Sequence, residues 1–459
     1  MVDVLSEIYN ACDPLEPATA EYYLDCSAVR GSSALTERFQ SELTLARDYL
    51  CFLFSGHIGC GKSSELEQLR QALTHPDPAL MGDKRYFPVL LDGRDYLDDY
   101  DVTPTDILLA IISELAATLH ADAGIDLKDN YFVKRFDEIK KFFLSDVEIN
   151  EGELPLWGAK AKIQRLKKEP TARQQVRETL LPRMSLMLEE INTVFDEARL
   201  KLRKRKIRPG EQPYTDIVLI LDNLEKIQRI AGQQEGLESQ RELFIERAPQ
   251  LTSMNVHVIY TVPLRLVRFF GPQLKQRYGI DPFVLPMIKV AERGTRNPYT
   301  PGLQALRDLL QRRLGSRALE QVFAPDALDF LLRYSGGHVR SLMRFVQSAC
   351  SYARRTGIPI PLAAAHHAVQ QTVPTYTASI PQAHWEKLAQ LDLSPDQFIP
   401  GGDSDYLVML EDLSVLEYIN GGDAGNPFAV AAPWYAVNPI VRELPQFKAA
   451  ATAESKVSA

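Results

Sequence analysis

The sequence predicts an α/β fold in three layers around a parallel five-stranded sheet, and three observations carry that prediction. Short hydrophobic runs alternate with amphipathic helical patterns from about residue 20 to residue 290, the signature of parallel strands joined by covering helices. A strand, a glycine-rich turn and a helix start follow one another over FLFSGHIGCGKSSELEQL, Phe52 to Leu69. After Asn297 the strand pattern gives way to helical segments separated by glycines and prolines, so the sheet-bearing part ends there.

Five runs supply the sheet: Leu50 to Phe54, Tyr86 to Leu91, Ile217 to Leu221, Val256 to Thr261 and Phe283 to Val290. Residues 1–19 read as an N-terminal extension and 20–296 as the core. Within the core, about 121–216 is a helical insertion, helical from Ala161 to Lys206 with breaks near Pro170 and Pro182. Met184, Met187, Leu188 and Ile191 recur there at helical spacing, which is a packing face. RPGEQPYTD, Arg208 to Asp216, returns the chain to the sheet. Residues 297–372 form an all-helical lid, with helices over Leu303 to Leu314, Pro325 to Arg333, Val339 to Arg354 and Leu362 to Val369. A link, QTVPTYTASIP, leads to 380–446. There, helices over His384 to Leu391 and Tyr406 to Asp412 precede two hairpin strands, SVLEYIN and WYAVNP, the pattern of a winged helix. Residues 447–459 are expected to be a flexible tail.

With 459 residues, 45% of them hydrophobic, the chain can bury more than one core. It has no apolar run of membrane-spanning length, and MVDVLSEIYN lacks the basic-then-apolar order of a secretory signal, so a cytoplasmic protein with no membrane partner is expected. A net charge of -8 argues against wholesale wrapping in nucleic acid. The basic run KLRKRKIR, Lys201 to Arg208, reads first as a solvated or partner-facing surface and second as a DNA or RNA contact. Cys12, Cys26, Cys51, Cys60 and Cys350 are scattered, with neither a disulfide framework nor zinc spacing.

Gly56 to Ser63 fit G-x-x-x-x-G-K-[ST], the form of a loop whose backbone N–H groups converge on phosphate where a helix begins. Gly56, Gly59 and Gly61 let the chain turn tightly, with His57, Ile58 and Cys60 between them. Lys62 reaches the β- and γ-phosphates, Ser63 offers an oxygen to Mg2+, and Ser64 follows in the helix start. Cys60 reads as a small residue tolerated in the loop. In IVLILDNLEKI, Ile217 to Ile227, a hydrophobic strand delivers Asp222 to its end, where a carboxylate can face the metal opposite Ser63. Glu225 is the candidate that polarises the attacking water, against a capping or surface role, and Asn223 is a neighbouring polar candidate. Thr261 ends the next strand and either senses the γ-phosphate or satisfies a turn. SGGHVRSLMR places Arg340 in the first turns of a helix, where it either crosses to the phosphates or forms an interdomain ion pair. His338 is a turn or helix-start residue, and His366 and His367 lack a metal-ligand set. Arg277, followed by Arg265 and Arg268, is the candidate arginine supplied to a neighbouring copy.

Taken together, these motifs resemble an AAA+-like P-loop ATPase of the signal-transducing STAND class, near the origin-recognition and replicative-helicase-loader branch. The resemblance runs over about Ala20 to Val369, with the winged-helix candidate beyond it. YYLDCSAVRGSSALTERFQSEL is similar to the segment that introduces the nucleotide domain in such proteins, which implies that Tyr23 to Gly31, including Val29 and Arg30, borders the adenine. The resemblance implies ATP or ADP binding between core and lid, with switching or assembly as output and a homo-oligomer or separate effector as partner. A bacterial defence system is one setting it suggests. The sequence departs from the family in two places. Asp222-Asn223 replaces the usual acidic pair, which moves the base to Glu225, and the helical insertion exceeds a minimal core. Slow or partner-activated hydrolysis follows. Two other functions remain open: a DNA-dependent remodeller or loader using the winged helix, and a nucleotide-stabilised adaptor with little hydrolysis.

Overall fold

A computed structural model of the chain describes residues 2–98, 101–127, 164, 166–205, 212–226, 233–399, 403–420 and 432–457. Its contacts gather into two compact units. One comprises residues 35–55 and 68–283, and the other residues 1–34, 56–67 and 284–459.

The sheet contains β1 (Cys51–Gly56), β2 (Tyr86–Asp92), β3 (Asp216–Asp222), β4 (His257–Thr261) and β5 (Phe283–Leu285), in the order β2-β3-β4-β1-β5. The pairs β2 with β3, β3 with β4, and β1 with β4 are parallel. Each of these strands is a nearly continuous apolar run because helices cover both faces, and Phe52, Leu53, Val218, Ile220 and Ile259 are buried. Register fixes what gathers at the carboxyl edge: Asp92 lies opposite Asp222, and Phe54 opposite Thr261. β5 is shorter than the run Phe283 to Val290 suggested. Pro286 follows Leu285 directly and has no N–H to continue a ladder.

The helical excursion belongs to the sheet unit and is observed over Pro170–Leu180 and Met184–Lys204, joined by a 3-10 turn at Leu181–Arg183. The expected break near Pro170 is present: the chain is non-helical at residues 167–169, and Pro170 starts the next helix, where its missing N–H is unneeded. Met184, Met187 and Ile191 are buried, as expected of a packing face. Arg177 anchors the excursion through hydrogen bonds to Asp106 at 2.6 Å and Asp101 at 2.5 Å. In the run Lys201 to Arg208, Lys201 hydrogen-bonds the Asp126 carbonyl at 2.6 Å, while residues 206–208 lie outside the described residues. Much of the expected insertion and the tip of the expected C-terminal hairpin lie outside them as well.

The second unit holds the lid helices Thr300–Leu314, Pro325–Tyr334, Val339–Ala353 and Leu362–Gln370. Leu328, Leu331, Leu332, Leu342, Phe345, Val346 and Ala349 bury its core at helical spacing. The N-terminal helix Val2–Ala11 packs on Val339–Ala353. The C-terminal module follows, with helices His384–Leu393 and Ser404–Glu411 and an antiparallel hairpin of β6 (Val415–Ile419) and β7 (Pro433–Val437). The tail expected to be flexible is instead a helix, Pro445–Val457, packed on His384–Leu393. Pro445 begins it, buried Phe447 anchors it, and the alanines at 449–451 favour helix.

Candidate nucleotide site

The expected site residues divide between the two units, and each set has its own geometry. Gly56 to Glu65, Val29, Arg30 and Arg340 lie in the lid-bearing unit, while Asp222, Asn223, Glu225 and Thr261 lie in the sheet unit.

In the phosphate loop, every carbonyl from Gly56 to Cys60 accepts a hydrogen bond from a named donor. The buried Lys62 ammonium donates to the carbonyls of Gly56 and His57, both at 3.1 Å. His338 Nε2 donates to Ile58 O at 2.9 Å, and the Arg340 backbone N–H to Gly59 O at 3.2 Å. Arg30 Nη2 donates to Cys60 O at 2.8 Å, and its Nη1 donates to Pro286 O. A peptide's N–H points opposite its C=O, so fixing this run of carbonyls on protein donors fixes the N–H groups of the residues that follow. The first turn of the Lys62–Thr74 helix, containing Lys62, Ser63 and Ser64, adds the positive end of the helix dipole, which favours an anion.

Close approach explains one of the loop glycines directly. Gly59 has φ +93°, and a Cβ there would stand 2.6 Å from His338 Nε2 and 2.9 Å from Arg340 Cβ. Only glycine lets the loop meet the start of the Val339–Ala353 helix so closely. His338 caps that helix: its Nδ1 accepts from Ser341 N at 3.3 Å. Burial, with help from His57, Arg340 and Arg344 nearby and against the bond to Ile58, drives its pKa from 6.5 to about 3. It is a neutral donor throughout the physiological range. The helix-start role expected for His338 is therefore only part of its work, since the same ring also holds the phosphate loop.

The N-terminal segment closes on the loop. Ala18 N donates to Ser64 Oγ at 2.9 Å, and Tyr23 OH to Glu65 Oε2 at 3.0 Å. Val29 and Arg30 sit in the short turn Ser27–Arg30, and Arg30 is buried. The Arg340 side chain meets the same segment, its Nε donating to Pro14 O at 3.1 Å.

In the sheet unit, Asp222 ends β3 and is buried, with its Oδ1 accepting from Asn223 N at 2.7 Å. Asn223 adopts the left-handed φ of 63°, and its Nδ2 donates to Asp92 Oδ1 at 2.9 Å. Asp92, which the sequence reading passed over, thus joins Asp222 at the carboxyl edge of the sheet. Burial raises the Asp92 carboxyl, but hydrogen bonds from Arg94 and Asn223 outweigh it and leave it below its ordinary value. The signal was present in LLDGRD, where a second hydrophobic strand ends in aspartate. Thr261 accepts from Leu224 N at 3.0 Å, tying the end of β4 to the segment after Asp222. Glu225 is buried in the 3-10 turn Leu224–Lys226. Among the arginines considered for a neighbouring copy, Arg265 is buried with its Nε on Gln240 Oε1 at 3.0 Å, whereas Arg277 is exposed near the end of the Leu264–Tyr278 helix.

Among the described residues, no cluster of three or more His, Cys, Asp or Glu side chains could hold a metal, and no helix is long and apolar enough to cross a membrane.

No protein-family model and no curated protein matches the chain. Among solved structures, it is similar to the ORC2 protein of Aeropyrum pernix in ADPNP-ADP complexes, at 12% identity over 93% of each chain with a TM-score of 0.41. It is also similar to the ORC1 protein of Aeropyrum pernix in complex with DNA, at 12% identity over 94% of this chain and 95% of the other, with a TM-score of 0.37. A third is Cdc6p from Pyrobaculum aerophilum, at 13% identity over 94% of this chain and 99% of that one, with a TM-score of 0.33.

Proposed function

We propose that the protein is an ATP-binding and ATP-hydrolysing molecular switch of AAA+ type. The observation that carries this reading is the unbroken run of anchored carbonyls from Gly56 to Cys60, with Lys62 and Ser63 at the helix start behind it. Such a loop is organised for a phosphate chain before one arrives, so little binding energy is lost in ordering it.

Hydrolysis falls to the residues of the sheet unit. Glu225 is the candidate to accept a proton from the attacking water, and Thr261 fixes the backbone that carries it by holding Leu224 N. Ser63 and Asp222 are the residues for Mg2+. A hydroxyl and a carboxylate are hard oxygen donors of the type that suits a cation keeping most of its waters, and Asp222 is already oriented by Asn223 N. When bound, Mg2+ would neutralise charge on the β- and γ-phosphates. Arg340 is the residue for nucleotide-dependent closure of the lid, and Arg277 for a contribution to a neighbouring copy.

The C-terminal module serves this switch as a docking element of winged-helix type. A DNA-reading role suits it less. The Ser404–Glu411 helix is flanked by Asp403 and Asp412 and contains Asp405 and Glu411, while Lys387 beside it is engaged by Asp403 at 2.7 Å and Asp405 at 2.8 Å. Acidic side chains at the reading helix would repel a phosphate backbone.

Phosphate release by wild type, Lys62→Ala and Glu225→Gln tests the proposal. Wild type is expected to hydrolyse ATP, Lys62→Ala to lose binding, and Glu225→Gln to bind ATP while turnover falls about 10²- to 10⁴-fold. Tight ADP binding without turnover in wild type, unchanged by Glu225→Gln, would instead identify a nucleotide-stabilised adaptor.

A further inference from the structure

We infer that His57 couples the phosphate loop to the C-terminal hairpin module, so that nucleotide binding and docking of that module strengthen each other. This rests on the reading of the loop as a nucleotide site and assigns that site its regulation.

The motif leaves the second loop position open to any residue, yet here it holds a histidine that is 2% exposed and fully engaged. Its Nε2 accepts from the Glu417 backbone N–H at 3.0 Å, so that nitrogen carries no hydrogen. The ring's proton is then on Nδ1, which donates to Leu410 O at 3.0 Å. One neutral tautomer satisfies both bonds. Glu417 lies in β6, and Leu410 in the last turn of the Ser404–Glu411 helix, so the ring spans both elements of the module. The backbone of the same residue faces the other way: His57 O accepts from Lys62 Nζ at 3.1 Å.

A phosphate-binding lysine thus holds the backbone of His57 while the module holds its ring. The hairpin is seated in two further places by bonds that bypass the loop. Met287 N donates to Glu417 O at 3.1 Å, and Tyr418 OH donates to Gly336 O at 2.8 Å. His57 is therefore a direct connection through which docking shapes the loop, and the other bonds keep the module in place if that connection is cut.

The sign of the coupling follows from preorganisation. The docked module holds the loop in the conformation whose carbonyls are all anchored, so nucleotide favours the docked state, and by reciprocity the docked state favours nucleotide. An imidazole buried without partners would be costly, and these two bonds offset that cost.

Hydrogen exchange at the β6 amides of the full chain, with and without saturating ADP and Mg2+, tests the inference, alongside ADP titrations. In wild type, ADP should slow exchange at Glu417 at least about 5-fold, and in His57→Ala that slowing should vanish while ADP still binds, weakened about 5- to 150-fold. His57→Gln, which retains an acceptor, should show a smaller nucleotide-dependent slowing than wild type. If His57→Ala does not fold, His57→Gln decides: a reduced slowing supports the coupling and an unchanged one overturns it. Equal slowing in all three proteins, no slowing in wild type at saturating ADP, or faster exchange on binding would overturn it as well. Failure of wild type to bind ADP at all would instead overturn the nucleotide reading beneath it.

Discussion

His338 shows how a single side chain at this site can be both structural and diagnostic. It caps the Val339–Ala353 helix with one ring nitrogen and holds Ile58 O with the other, and its pKa is about 3 in the fold against an ordinary 6.5. Between those values the unfolded chain binds a proton that the folded chain does not. Its contribution is therefore complete above pH 6.5 and is lost progressively as pH falls towards 3. Urea unfolding at pH 7 and pH 5 should show a smaller acid loss in His338→Gln, which keeps an N–H for Ile58 O and has nothing to titrate. Equal losses in variant and wild type would contradict the assignment. Such residues also mark where sequence reading stops. The placement of Lys62 and Ser63 at a helix start and of Asp222 at a strand end was legible because short-range patterns define it. The work of His57 and His338 was not, because their partners lie 360 and 280 residues away along the chain.

At the scale of elements, strands and helices were legible where periodicity and punctuation agreed, as in the lid helices and the four longer strands. The misses have local physical causes. β5 stops at Leu285 because a proline follows, and the Pro445–Val457 helix forms because buried Phe447 supplies the anchor that its polar end lacks. The turn before the Val339–Ala353 helix is specified more tightly than its sequence suggests. Gly337 has φ +74°, and a Cβ there would stand 1.7 Å from Ile288 O, whereas Gly315 has φ +62° and open space around it. Gly337→Ala should therefore destabilise the protein by at least about 2 kcal/mol, and Gly315→Ala by about 1 kcal/mol, through backbone strain alone. Similar losses for the two variants in urea unfolding would show that the approach to Ile288 O does not govern this turn.

For the whole molecule, the unexpected result is where the chain divides. The phosphate loop, read as part of the core, shares a compact unit with the lid, the N-terminal segment and the C-terminal module. Arg30, His338, Arg340 and, through His57, Glu417 and Leu410 are the reasons, and none is announced by the motif itself. The residues proposed for hydrolysis belong to the other unit. The switch reading stands on nucleotide binding at the loop, and calorimetric titration of ADP with Mg2+ into wild type and Lys62→Ala tests it most directly. It predicts one site per wild-type chain and an affinity reduced at least about 100-fold in Lys62→Ala, a difference of about 2.7 kcal/mol. Equal affinity in the two proteins, or no binding to wild type, would contradict it.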